Sequence, residues 1–291
     1  MLAVLVIVFI AVRATGDPAL VVLPDTATRE DIAAMHQKLG LDKPLANQFL
    51  IYLGRAAKGD LGDSFRTRDS ALKEVLRRFP ATLQLGGIAI LISILIAIPI
   101  GVYSAVARGS ILDLLGRWFA VLGQSMPVFW LGIVLIYIFS VGLGWLPTGG
   151  RGGIQHLILP SVTLGWYVAA GIMRLTRSAM LDVLGSDYTT LARVKGVPEW
   201  LVVWKHAFRN ALLAIVTFAA VLFITMLTGA VIVETVFAWP GVGRLIIDSL
   251  SRRDFPVIQA GVLVLSAMYI VASLAVDILY GYLNPRIKYG R

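Results

Sequence analysis

The residues whose types and spacing could do chemistry lie mainly in one basic stretch. Thr190, Ala192, Arg193, Lys195 and Gly196 are followed by Lys205, His206 and Arg209. Ser178–Lys195 is compatible with a helix. Gly196-Val197-Pro198 should break it, because glycine adopts the left-handed C-terminal cap and proline suits the first turn of a following helix. Glu199–Ala211 then reads as a second helix, with Leu201, Trp204 and Phe208 at helical spacing. The chemistry on offer is docking rather than bond-making: an apolar stripe with a basic rim fits the cleft of a partner protein. A solvated loop that only sets topology would explain the charges but neither the stripe nor the turn. A DNA-binding helix-turn-helix has this outline, but here both ends run into apolar segments, so nucleic acid is not the expected partner.

Bond-making chemistry has little to work with. The chain has no cysteine, and its three histidines, His36, His156 and His206, are too scattered to suggest a metal cluster. No Ser/His or His/Asp/Glu constellation supports catalysis, so an enzyme is not expected. The phosphate loop G-x-x-x-x-G-K-[ST] is absent, so the chain cannot supply a nucleotide site of its own. No cofactor is expected. Glu234 and Asp277 border apolar runs, where charge is costly and often functional. They are candidates for a substrate path, with an interfacial or packing role as the alternative. Pro99, Pro127 and Pro160 could kink helices. Trp130, Trp145, Trp166 and Trp239 read as interfacial belts or core.

The elements that must position these residues are membrane helices. Of 291 residues, 58% are hydrophobic and 15% charged, against about 25% charge in an ordinary soluble domain. Uncharged runs long enough to cross a bilayer occupy Ala81–Ala107, Trp118–Gly150, Asn210–Val233 and Phe255–Val276; Gly152–Met173 adds another, interrupted only by His156. The period-2 alternation of a membrane barrel is absent. Met1–Val12 is apolar but short of a full crossing. A cleaved signal peptide would need a basic flank before the apolar stretch, and none precedes it. The expectation is a genuine first span whose start is missing. The fold class is therefore an all-α membrane protein with six transmembrane helices.

Orientation follows from the short loops. Lys and Arg number two in 108–117, six in 174–209 and three after 277, against four on the opposite side. The positive-inside rule puts the richer side, and both termini, in the cytoplasm. Residues 13–80 then lie outside as a folded extracytoplasmic segment. Thr26 or Thr28 can cap a helix over Thr26–Leu39, with Glu30 and Asp31 in its first turn and Gly40 as its stop. Pro44–Ala57 is a second amphipathic helix, with Leu45, Phe49, Tyr52 and Leu53 on one face. Lys58–Gly62 is a turn, and Asp69–Phe79 is a third short helix leading to Pro80. The expected domains are 1–80 (first span and external cap), 81–285 (membrane core with the loop 174–209) and 286–291 (cytoplasmic tail). The cap reads as a plug or packing element, or as a docking surface.

Asp187–Val197, followed by Lys205–Ala211, resembles the EAA loop of binding-protein-dependent ABC importers. More narrowly, it is similar to that of the dipeptide/oligopeptide permease family, which includes glutathione and nickel permeases. Further family-like segments are Gly16-Asp17-Pro18, Leu39–Leu45, Gly59–Ser64, Gly144-Trp145-Leu146-Pro147, Leu159-Pro160-Ser161, Glu234–Phe237 with Pro240-Gly241, and Asn284-Pro285-Arg286. The pattern departs from the general motif at Thr190 and Leu191, where Glu and Ala are usual, and at Ala214, where proline is common.

The resemblance implies a permease subunit in the bacterial inner membrane, surrounded by lipid and paired with a second, similar permease. Two ATPase subunits would bind ATP and dock on the cytoplasmic loop, and a periplasmic binding protein would deliver peptides or similar small solutes. Thr190, Ala192, Arg193, Lys195, Gly196, His206 and Arg209 would then be the ATPase-coupling residues. The competing reading is an ion-gradient-driven secondary transporter. That class predicts acidic residues deep in the spans and inverted repeats, and neither is evident.

Overall fold

The computed structural model describes residues 1–14, 16, 18–23 and 26–283. Asp17 of the Gly16-Asp17-Pro18 motif, the Asn284-Pro285-Arg286 motif and the expected tail 286–291 lie outside the described residues. Among the described residues there is no strand, only an isolated bridge between Asp63 and Ser70. The elements are α1 (Leu2–Ala14), α2 (Pro18–Val22), α3 (Arg29–Leu39), α4 (Leu45–Ala57), α5 (Ala71–Val106), α6 (Ile111–Ser125), α7 (Val128–Gly142), α8 (Gln155–Leu184), α9 (Asp187–Val194), α10 (Glu199–Val236), α11 (Val242–Ser251) and α12 (Phe255–Leu283). Four of these, α5, α8, α10 and α12, are long and apolar enough to cross a membrane, and α6 with α7 forms a fifth candidate bent by 110°.

The chain groups into two units. The first comprises Met1–Thr82 and Pro240–Ile270. Its helix ends follow local chemistry. Thr28 caps α3: its side chain accepts from Asp31 N–H at 3.2 Å, and Asp31 accepts from Thr28 N–H at 2.9 Å. This reciprocal box satisfies two otherwise orphaned donors. Gly40 closes α3 at φ +68°, with Gly40 N–H donating to Gln37 and Leu41 N–H to His36. Buried Gln48 accepts from Arg13 Nε at 2.9 Å and donates to the carbonyls of Leu41 and Lys43. The Arg13 guanidinium lies 3.5 Å from the Phe9 ring centroid. A core of Ala71, Val75, Val242, Val257 and Ala260 joins the start of α5 to α11 and α12. Ser64 Oγ donates to the buried Asp254 carboxylate at 2.5 Å, and Phe65 N–H donates to it at 3.1 Å. These bonds pin the 62–70 loop to the start of α12.

The second unit comprises Leu83–Trp239 and the chain from Val271. Here α5, α6 and α8 approach closely because small residues face neighbouring helices. A Cβ on Gly101 would stand 2.8 Å from the Met173 carbonyl, and one on Gly165 2.8 Å from that of Ala89. Ser93 Oγ bonds the carbonyls of Ala89 and Gly165 at 2.7 and 2.8 Å, tying α5 to α8.

Several helix boundaries differ from the sequence expectation. Trp118–Gly150 is not one straight span: Met126 is extended (φ −84°, ψ 126°) and the chain turns sharply there. Pro127 has no N–H to donate and pushes its predecessor out of helical geometry. The expected short helix over Asp69–Phe79 is not separate, because α5 passes through Pro80 into the apolar run without a break. The run Gly152–Met173 is part of a longer helix that continues past Arg174 and Arg177 to Leu184. The expected second loop helix, Glu199–Ala211, is likewise the start of α10, since nothing between Pro198 and Phe237 breaks the helix. Val202–Phe208 within it, and Ile136–Gly142 within α7, run as wider π turns. The loop expected over 174–209 therefore shortens to the segment between Leu184 and Glu199.

Candidate functional site

The segment between α8 and α10 is built from α9 and two turns. Gly185 and Ser186 end α8 and start α9, so Ser178–Lys195 is two helices rather than one. Thr189 is fully buried and closes this junction. Its Oγ1 donor has three carbonyls within reach, those of Val183, Leu184 and Ser186, at 3.2, 3.1 and 2.8 Å. Two of these are end-of-helix carbonyls that α8 cannot satisfy itself. Thr190, exposed beside it, donates to the Ser186 carbonyl at 3.2 Å.

The second turn is at Gly196, as its sequence predicts. Its φ is +76°. Gly196 N–H donates to Arg193 and Val197 N–H to Ala192, at 3.0 and 3.1 Å. This paired closure requires a left-handed residue and so favours glycine. No atom lies within 4 Å of where a Gly196 Cβ would be, so backbone conformation rather than space selects the glycine. Pro198 then caps α10.

Arg193 bridges the turn. It reaches both Glu199 carboxylate oxygens, through Nε at 3.1 Å and Nη2 at 2.8 Å, and its Nη1 donates to the Leu184 carbonyl at 3.3 Å. The Glu199 carboxylate holds the Arg193 guanidinium above its ordinary pKa. One side chain thus joins the end of α8, α9 and the start of α10. Lys195 ends α9 and is exposed, as is Arg209 on α10. Ala192 and His206 are half-buried, and the His206 carbonyl accepts from Asn210 Nδ2 at 2.6 Å.

The exposed apolar residues are only partly the expected ones. Trp204 is 39% exposed although it packs edge-on against Tyr103 and Phe208, with centroids 6.5 and 5.3 Å away, while Leu201 and Phe208 are half-buried. The more exposed stripe is Tyr188, Leu191 and Val194 on α9, with Trp200 beyond the turn; Val194 is 78% exposed. Their spacing of three residues was the available signal. The arrangement is a short helix presenting an apolar ridge, anchored at both ends and rimmed by Lys195 and Arg209.

The substrate-path candidates differ sharply in environment. Glu234 is fully buried near the end of α10, and its carbonyl accepts from Trp239 N–H at 2.8 Å. The turn after it packs against the 147–151 loop, with Gly150 N–H donating to the Phe237 carbonyl at 2.8 Å. Trp239 is also buried, 5.8 Å beneath the Arg151 guanidinium. Asp277 is exposed on α12. Among the described residues no group of His, Cys, Asp or Glu could hold a metal ion.

Comparison with known proteins matches residues 97–289 to the family model for the binding-protein-dependent transport system inner membrane component. Residues 1–86 match the model of its N-terminal region. The chain is 46% identical over 290 residues to the glutathione transport system permease protein GsiC of Salmonella typhimurium, covering 99% of this chain and 95% of that one. It is 42% identical over 306 residues to the di/tripeptide transport system permease protein DppB of Pseudomonas aeruginosa, covering 95% and 91%. Among solved structures, the MetNI methionine ABC transporter in an inward-facing conformation superimposes with a TM-score of 0.61 at 20% identity, over 72% of this chain and 96% of that one. At that identity the likeness is one of fold.

Proposed function

We infer the function from the premise that this chain belongs to the family of binding-protein-dependent transport system inner membrane components. It is a multi-pass permease subunit of an ATP-driven importer for peptides or similar small solutes, and it resides in the inner membrane. The relatives named for glutathione and di/tripeptides suggest short peptides as the substrate class.

The finer reading is that α1, α5, the α6–α7 pair, α8, α10 and α12 make six crossings. Both termini and α9 face the cytoplasm, while the segment between α1 and α5 faces the periplasm. The charge asymmetry of the short loops supports this orientation. ATP is bound and hydrolysed by two partner subunits, a second permease completes the pathway, and a periplasmic binding protein delivers the solute.

One observation carries the coupling assignment. The ridge Tyr188–Leu191–Val194 is exposed on a helix that is otherwise bonded down by Thr189 and Arg193. An apolar ridge held rigid and left uncovered is what a partner's cleft requires. The test is co-purification in detergent with its partner ATPases. The wild-type chain should retain them, and Leu191→Asp with Val194→Asp should lose them without loss of the permease from the membrane. Retention by the double variant would overturn the assignment.

A further inference from the structure

A second charged cluster lies in the membrane unit, apart from the ridge. Asp113, on the first turn of α6, is 1% exposed. Arg177, from α8, reaches both its carboxylate oxygens, through Nε at 2.7 Å and Nη2 at 3.0 Å. Ser104 Oγ donates to Oδ1 at 2.7 Å and Gly109 N–H to Oδ2 at 3.0 Å. Arg117 stands 3.7 Å away, one turn along α6.

Capping alone does not account for this. Ser110 already caps α6, accepting from Asp113 N–H at 3.3 Å. Burying a guanidinium and a carboxylate carries a desolvation cost that often cancels their attraction, so such a pair adds little stability over apolar packing. What a two-point pair adds is orientation, because both bonds form in one register only.

Its position gives that register a use. Arg177 lies two turns before the end of α8. Thr189 and Arg193 bond α9 to the last carbonyls of α8. A continuous bonded route therefore runs from α9 through the end of α8 to Arg177, and from Arg177 into Asp113 and α6. Beyond α6 lies the 110° elbow into α7.

We propose that Arg177 and Asp113 are a positioning pair that carries displacement of α9 into α6, so that the α6–α7 elbow moves with the ATPase stroke. This rests on α9 being the ATPase-coupling helix. The experiment uses the complete transporter in lipid vesicles with its binding protein, and measures solute moved per ATP hydrolysed. Asp113→Asn keeps one carbonyl acceptor, enough for Ser104 or Gly109 but not both, and removes the charge. Arg177→Gln removes the two-point donor.

Each variant should lower the ratio about tenfold, within the usual range for coupling between sites. The double variant should fall no further, because both act on one link. Retained ATPases and an unchanged melting temperature show that assembly is intact. Should Asp113→Asn fail to assemble, Arg177→Lys is read instead: it keeps the cation and loses the fork, and should also lower the ratio. An unchanged ratio, or parallel loss of transport and hydrolysis, overturns the proposal. Failure of the wild-type chain to bind the ATPases at all would instead overturn the reading of α9.

Discussion

Arg193 grips Glu199 across the Gly196 turn, with both carboxylate oxygens engaged at 3.1 and 2.8 Å. The pair sits at the surface, with side chains 39% and 55% exposed. Exposed pairs contribute about 1 kcal/mol at most. A double-mutant cycle of Arg193→Ala and Glu199→Ala should give a coupling of no more than about 1 kcal/mol in thermal stability. Its effect on ATPase retention should be larger than that, because the pair sets the angle between α9 and α10. Equal, small effects on both would show that the pair is only a surface contact.

Gly196 separates two effects of substitution. With open space around its Cβ and a φ of +76°, Gly196→Ala should cost about 1 kcal/mol through backbone conformation alone. Gly196→Asp carries a smaller backbone cost, since aspartate tolerates the left-handed region better than alanine, but adds charge beside the ridge, so it should uncouple transport from hydrolysis. Normal transport and substrate-stimulated ATPase activity in the Asp variant would refute this.

Thr189→Val keeps the shape of the side chain and deletes its donor. The α8 carbonyls that it serves would keep only their other donors, Ser186 at Val183 and Arg193 at Leu184, so the loss is that of a typical hydrogen bond, about 1 kcal/mol. The expected result is faster hydrogen exchange over 183–190 with the membrane helices unaffected. Unchanged protection there would contradict the closing role given to Thr189.

Asp60 provides a pH test in the first unit. Arg55 donates to it at 2.8 and 3.2 Å, and Gly62 N–H at 3.0 Å. These bonds, the first from Arg55, hold its carboxyl below its ordinary pKa. A depressed folded value stabilises the fold above the unfolded pKa of about 4 and loses that stability as pH falls through the folded value. Arg55 and Asp60 are both more than half exposed, so the contribution should not exceed about 1 kcal/mol. Melting curves of wild type and Asp60→Asn should differ at pH 7 and draw together as pH falls below the unfolded pKa of about 4 and through the lower folded value.

Much of this was legible from local chemistry. The Thr28 cap, the Gly40 stop, the helix starting after Pro44 and the Gly196-Val197-Pro198 turn all appear where their residues predict, because each depends on neighbours within a few positions. The elbow at Met126–Pro127 was noted only as a kink, since the degree of bending depends on packing. Arg174 and Arg177 looked like loop residues because charge usually marks a helix leaving the membrane. Arg177 stays in the helix because Asp113, 64 positions away, neutralises it. Thr189 resembled an ordinary polar residue for a similar reason. Its partners are the carbonyls of a helix end whose location the sequence left ambiguous.

The unbroken run of α10 has a mechanical corollary. Its residues span Glu199 to Val236, a rod of roughly 55 Å at the usual rise per residue. One end begins beside the Gly196 turn and the other holds buried Glu234. Pivoted at its Pro198 end, such a rod tilted by about 5° sweeps its far end through about 5 Å by the same helical geometry. Gain of that kind comes from leverage, and it needs no hinge along the shaft.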